Sequence, residues 1–153
     1  MPLPFPHLAI PDADALRAAI PRVNAAIQRV SDRACLPWAP GKPWTCAQMA
    51  WHLADAESVM LDRVRRLLSL ENASLPSIPQ NIWVAQLPPR PLETAALLFA
   101  ACRTTTADLI ASLGSVPYER CGLHPEYGPM TLADVLRHLH GHALHHAQQL
   151  EAV

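Results

Sequence analysis

The chain lacks an excess of charge of either sign. Twelve Lys and Arg residues against thirteen Asp and Glu residues give a formal net charge of −1, and only 16% of the residues are charged. Nucleic-acid-binding proteins usually carry a basic face, and membrane-surface proteins often carry a polybasic cluster. We therefore expect neither nucleic acid nor a membrane among the partners of this protein.

Closely spaced cysteines and long apolar runs are also missing. The four cysteines are far apart and form no C-x-x-C motif, which excludes a cysteine-type zinc finger and indicates free thiols. No run approaches the roughly 18 apolar residues of a transmembrane helix. The first residues, MPLPFPHLAI, have neither the basic region nor the long apolar stretch of a signal peptide. We expect a cytoplasmic location.

Alternating strand patterns are nearly absent, whereas proline is abundant and divides the chain. The sixteen prolines cluster in an N-terminal arm and in three later regions, which leaves proline-free segments at roughly 44–75, 92–116 and 130–153. Proline disrupts the interior of a helix because it removes an N–H donor and clashes with the preceding turn. The proline-free segments can therefore form uninterrupted helices. A further helix precedes them, with either a kink or its start at Pro21. Four helices predict an all-α fold, a single four-helix bundle.

Two threonines predict helix starts, and one link is unusually long. Thr45 and Thr131 are each followed three residues later by a polar side chain, Gln48 and Asp134, as in an N-terminal capping box. Residues 73–91 form the link between the second and third long helices. A link of this length suits a crossover that leaves those helices parallel.

Five of the eight histidines lie in one stretch, RHLHGHALHH. On a helix turning about 100° per residue, His146 and His142 lie about 60° and 100° from the centre of the apolar stripe, on the same side. His138 and His145 lie further round, at roughly 140° and 160°, toward solvent. His140 borders the opposite edge of the stripe. The i, i+4 pair of His142 and His146 is therefore the pair placed for chelation.

Two histidines do not complete a catalytic metal site, which commonly uses three protein ligands and leaves a position open. His52 flanks the apolar stripe of the second long helix. It reaches the level of His146 if that helix is an antiparallel neighbour of the last one. The pattern alone leaves a second interpretation open, in which His52 is a hydrogen-bonded core residue and the histidine-rich helix has a solvated face.

Several other residues are candidates for a supporting role. Glu57 lies unusually far inward for a carboxylate, so it either orients a ligand imidazole or pairs with an arginine. Gln149 could hydrogen-bond near the site or be solvated, and His124 and Glu126 could line a pocket. Gly141 costs about 1 kcal/mol inside a helix and needs a packing reason, such as the close approach of another helix.

Two segments resemble the DinB/YfiT-like metalloproteins. WTCAQMAWHLADAE (44–57) is similar to their W-[ST]-x6-H-L-x-D-x-E signature, and HPEYGPMTLADVLRHLHGHALHHAQQL (124–150) is similar to their C-terminal helix. The family pattern H-x3-H-x2-Q falls on His142, His146 and Gln149. One departure is Gln148, which stands where the family usually has glycine.

The resemblance implies one DinB-like domain over 1–153, with a proline-rich arm at 1–11 and an up-down-down-up bundle. It also implies a divalent metal, zinc or nickel, held by His52, His142 and His146 with open positions, and a homodimer. Relatives include metal-dependent hydrolases and isomerases and S-transferases that use a low-molecular-weight thiol. We therefore expect an enzyme that activates water or such a thiol for hydrolysis or S-transfer to a small-molecule electrophile.

No residue can be assigned as a catalytic base, and one alternative stays open. The chain could be a non-catalytic dimeric module whose metal is structural or serves a stress- or metal-responsive role. A fourth ligand from His138 or His145 would favour that alternative, because structural sites usually have four protein ligands. A di-iron bundle is disfavoured because no E-x-x-H motif is present.

Overall fold

The computed structural model describes residues 1–153, and most of them are helical. Four long helices form the bundle: α1 (Ala13–Arg29), α2 (Cys46–Ser69), α4 (Leu92–Ser112) and α5 (Leu132–Glu151). A short helix, α3 (Gln80–Gln86), lies in the long link between α2 and α4. The predicted helical bundle is thus confirmed, with one additional short helix. None of the helices is both long and apolar enough to cross a membrane.

The helix starts follow the polar patterns of the sequence. The backbone N–H of Gln48 donates to Thr45 Oγ1 (3.2 Å), and Gln48 Oε1 accepts from the backbone N–H of Thr45 (2.9 Å). Thr131 and Asp134 form the same reciprocal box at the start of α5. In α1 the first residue is Ala13, so Pro21 lies inside the helix rather than at its start.

A small sheet corrects the expectation of almost no strands. It consists of β1 (Ala73–Ser74), β2 (Cys121–His124) and β3 (Gly128–Thr131), with β1 parallel and β3 antiparallel to β2. These strands are too short to produce an alternating pattern. The turn between β2 and β3 ends at Gly128, whose φ of +74° favours glycine.

The core consists of two apolar clusters, one at each end of the bundle. One cluster joins the N-terminal halves of α2 and α4 to the C-terminal halves of α1 and α5, and the other joins the opposite halves. This distribution is compatible with the up-down-down-up order and the crossover link, both of which stay predictions.

One buried ion pair connects three of the four long helices. Arg103 Nε and Nη2 in α4 donate to the two carboxylate oxygens of Glu57 in α2, at 2.6 and 2.8 Å, and Nη2 also donates to the carbonyl oxygen of Leu139 in α5 (3.0 Å). Both side chains are almost fully buried. Of the two roles left open for Glu57, pairing with an arginine is the one observed.

The N-terminal arm explains the glycine inside α5. A Cβ atom on Gly141 would lie 2.5 to 2.8 Å from ring atoms of Phe5. The packing reason observed at Gly141 is an aromatic ring of the arm, whose atoms are the nearest to this position. Sequence periodicity describes helices, so it contains no information about where an irregular arm packs.

Candidate metal centre

Three histidines from two helices come together at one point in the bundle. His52 of α2 faces His142 and His146, which lie one turn apart on α5. The Nε2 atoms of His52 and His142 are 3.0 Å apart. One ring nitrogen from each of the three side chains lies within 4.8 Å of the others. The structure thus brings together the three residues that the sequence predicted as ligands.

Burial keeps these imidazoles neutral. It lowers the pKa of His52 to about 3, with a further contribution from His146. It lowers the pKa of His146 to about 4, against the raising effect of the hydrogen bond to Gln149, and it lowers the pKa of His142 well below its ordinary value. A neutral imidazole is the form that binds a metal ion, so the donor set fits a divalent transition-metal ion.

Two neighbouring side chains hold the imidazoles in place. Gln149 Oε1 lies 2.6 Å from His146 Nδ1, and Gln149 Nε2 lies 3.1 Å from His145 Nε2. The first contact places the proton of His146 on Nδ1 and leaves its Nε2 free as a ligand atom. The ring of Trp44 packs against the ring of His52, with centroids 5.1 Å apart.

The three histidines line a cavity of about 340 Å³ that is partly open to solvent. His124 and Glu126 belong to its wall, as the sequence suggested, together with Tyr127. Part of the wall is therefore formed by the β2–β3 hairpin and its turn. A cavity beside the imidazoles leaves space for a small molecule next to a bound ion.

The structure places one further histidine differently from the prediction. His138 was expected to point toward water, yet it is only 8% exposed, and it also lines the cavity. Its ring lies 6.4 Å from that of Phe5 and 5.8 Å from that of Tyr127. The helical wheel fails here because the arm and the hairpin cover a face of α5 that a simple bundle would leave open. His145 is exposed, as predicted.

Sequence reasoning missed Arg63, which is 1% exposed and lines the same cavity. A signal for it existed, because Arg63 follows Met60 by three residues and precedes Leu67 by four. Both of these apolar residues face the core, so a basic residue between them on the same side of α2 is unusual.

The fold and the centre together define a helical-bundle protein with a three-histidine cluster at a cavity. A sequence profile of the DinB superfamily matches residues 15–150, and the chain belongs to this superfamily. YfiT from Bacillus subtilis, described as a probable metal-dependent hydrolase with an unusual four-helix bundle topology, has a similar structure. The TM-score is 0.82 at 20% identity, over 92% of this chain and 82% of that one. No curated protein sequence matches the chain significantly.

Proposed function

We propose that the protein is a metal-dependent enzyme in which His52, His142 and His146 hold a divalent ion, zinc or nickel. The reaction is hydrolysis of a small electrophile, or transfer of a low-molecular-weight thiol to it. The observation that carries this proposal is the convergence of three neutral imidazoles on the wall of an open cavity. The description of YfiT as a probable metal-dependent hydrolase adds support from a protein of similar fold.

The number of ligands favours an enzyme over a structural module. Structural zinc sites usually have four protein ligands, whereas catalytic sites have three and an open position. No fourth ligand atom joins the three-histidine group. His145 is exposed and its Nε2 contacts Gln149, and the ring centroid of His138 is 6.1 Å from that of His142.

A divalent ion in such a site supplies Lewis acidity, which lowers the pKa of water or of a thiol in the open position. Other side chains of the protein orient and shield the ligand imidazoles. Gln149 orients the ring of His146 by accepting from Nδ1–H. Trp44 covers one side of the His52 ring, which limits the access of water to that side.

Metal content is the direct test of the site. The protein is purified without a histidine tag, and bound metal per chain is measured for the wild type and for His52→Ala, His142→Ala and His146→Ala. We expect near-stoichiometric metal in the wild type and its loss in each variant. His7→Ala is the control, because His7 is an exposed histidine of the N-terminal arm; it should retain the metal. Retention of metal in His52→Ala would contradict the proposed ligand set.

The nucleophile is tested separately. Turnover of a small electrophilic ester and of an alkyl halide is measured with the metal-loaded protein, with and without a panel of cellular thiols. Turnover without thiol assigns hydrolysis, and turnover that requires thiol assigns S-transfer. If the loaded protein turns over neither class while His52→Ala has lost the metal, the non-catalytic module replaces the enzyme.

Two further properties belong to the proposal by way of the family resemblance. We propose that the chain forms a homodimer and that it acts in the cytoplasm. Light scattering coupled to size-exclusion chromatography measures the mass of the assembly, and a mass equal to one chain would contradict the dimer.

A further inference from the structure

Arg63 is a buried cation without an anionic partner. Its Nε and Nη2 both donate to the carbonyl oxygen of Pro76, at 2.9 and 2.6 Å, and its Nη1 lies 3.4 Å from the sulfur of Met60. Every acceptor around it is neutral. Burying a charge is costly unless the charge is paired, and the other fully buried arginine of the protein, Arg103, does pair with a carboxylate.

His124 presents a second donor beside this cation. Its Nδ1 accepts from the backbone N–H groups of Glu126 (3.1 Å) and Tyr127 (3.3 Å). A neutral imidazole has one N–H, so the proton of His124 is on Nε2. That Nε2 lies 2.9 Å from Arg63 Nη2, which can only donate. Two donors therefore face each other with no acceptor between them.

Both side chains line the cavity that the three histidines of the candidate metal centre also line. Ring contacts connect the two groups: the ring of His142 lies 6.1 Å from that of His138, which lies 5.8 Å from that of Tyr127. Tyr127 in turn lies 4.8 Å from the ring of His124. The histidine centre and the two donors thus belong to the wall of one cavity.

We propose that Arg63 and His124 form a binding subsite for a carboxylate group of the substrate, on the wall of the same cavity as the three histidines. One carboxylate accepts from Arg63 Nη2 and from His124 Nε2–H, which relieves the opposition of the two donors and pairs the buried charge. As a statement about the substrate, this inference rests on the proposed function. As a statement about an anion site, it stands on Arg63 and His124 alone.

Charge favours a carboxylate over a phosphate. The subsite contains one positive charge and one neutral donor, which match a monoanion. The nearest acidic residue in the wall, Glu126, accepts from Ser77 Oγ (2.8 Å) and does not pair with Arg63. Its negative charge repels a ligand with two negative charges more strongly than a ligand with one.

Benzoate and its neutral analogue benzamide are the probes. Binding of each is measured by isothermal titration calorimetry at constant ionic strength, on protein stripped of metal with a chelator and on zinc-loaded protein. In the metal-free wild type we expect benzoate to bind at least about 10-fold more tightly than benzamide, because a hydrogen bond between charged groups is stronger than one to a neutral acceptor. Arg63→Met should weaken benzoate about 10- to 100-fold and leave benzamide unchanged.

Two further variants separate the subsite from general effects. Arg65→Met removes an exposed arginine two residues away on α2, and it should bind benzoate like the wild type. His124→Asn keeps an acceptor near the position of Nδ1 and removes Nε2–H, so it should weaken benzoate binding even if Arg63→Met fails to fold.

Three results would overturn the subsite. The first is equal affinity of the wild type for benzoate and benzamide, and the second is an equal loss of benzoate binding in Arg63→Met and Arg65→Met. The third is that inorganic phosphate binds more tightly than benzoate and that this binding is lost in Arg63→Met. Failure of the proposed function gives a different result. In that case zinc does not bind to the wild type, while metal-free protein still prefers benzoate and loses this preference in Arg63→Met.

Discussion

The amide of Gln149 determines which nitrogen of His146 is free to bind a metal. Its oxygen accepts from Nδ1 of His146 and its nitrogen faces His145, so the orientation of the amide is fixed from both sides. A partner of this kind holds the ring and increases the basicity of the ligand atom. Gln149 is therefore a positioning residue, although its position near the end of the chain resembles that of a solvated side chain.

We predict that Gln149→Leu lowers metal affinity by about 10- to 100-fold, as is typical when the partner of a ligand histidine is lost. Competition with a chromophoric zinc chelator measures the affinity. Gln148→Leu is the matched control, since Gln148 is an exposed neighbour on the same helix, and its affinity should equal that of the wild type. Equal affinities of the two variants would show that the contact to His146 does not matter for binding.

At the scale of the element, the Glu57–Arg103 pair connects three helices by directional hydrogen bonds. These bonds define the relative positions of the helices more specifically than apolar contacts alone would. It is bidentate, fully buried, and extended by the bond from Arg103 to the backbone of α5. Removing one member leaves a buried charge without a partner. That loss is more costly than removal of the whole pair, because an apolar replacement of both members has no charge to desolvate.

We predict that Glu57→Ala lowers the free energy of unfolding by about 3–5 kcal/mol, whereas the double variant Glu57→Leu/Arg103→Met stays within about 2 kcal/mol of the wild type. Urea denaturation followed by circular dichroism gives both values. Glu93→Ala, which removes an exposed carboxylate on α4, should change the stability little. A loss below about 1 kcal/mol in Glu57→Ala would mean that water or another group compensates Arg103.

The N-terminal arm is the second element whose packing can be tested. In α5, alanine is favoured over glycine by about 1 kcal/mol, but a Cβ atom on Gly141 would overlap the Phe5 ring. The same substitution should therefore have a different effect when the ring is absent.

We predict that Gly141→Ala stabilises the Phe5→Ala protein by about 1 kcal/mol and gives less benefit, or a loss, in the wild type. Chemical denaturation of the two single variants and of the double variant gives the coupling energy of the cycle. If Gly141→Ala has the same effect in both backgrounds, the arm does not pack on α5 at this position.

At the scale of the whole molecule, regular periodicity was sufficient to predict the helices and the inward pair His142 and His146. The threonine capping boxes were predictable because they are local in sequence. The burial of His138, the contact of Phe5 with Gly141 and the small sheet were not predictable in this way. Each depends on an irregular segment folding back over a helix face, and such contacts join residues far apart in the chain. Arg63 could have been identified as a basic residue on a buried face of its helix. Its lack of an anionic partner could not, because it depends on which residues the tertiary structure brings next to it.

The buried histidines make the stability of the whole fold depend on pH. Burial lowers the pKa of His52 and His138 to about 3 and that of His146 to about 4, whereas an unfolded chain titrates near 6.5. Between these values the unfolded chain binds more protons than the folded one. The stabilisation is therefore complete above about pH 6.5. It is lost as the pH falls toward about 4 for His146 and about 3 for His52 and His138, by about 1.4 kcal/mol per pH unit for each histidine.

We predict that the free energy of unfolding of the metal-free protein, measured by urea denaturation with a chelator present, falls steeply from pH 7 to pH 5. His138→Phe should reduce the slope below pH 6.5 by about 1.4 kcal/mol per pH unit, because one proton fewer is taken up on unfolding. His7→Asn, which replaces an exposed histidine of the arm, should leave the slope as in the wild type. A slope that is unchanged in His138→Phe would mean that the imidazole of His138 is solvated in the folded protein, and that the arm and the hairpin do not cover it.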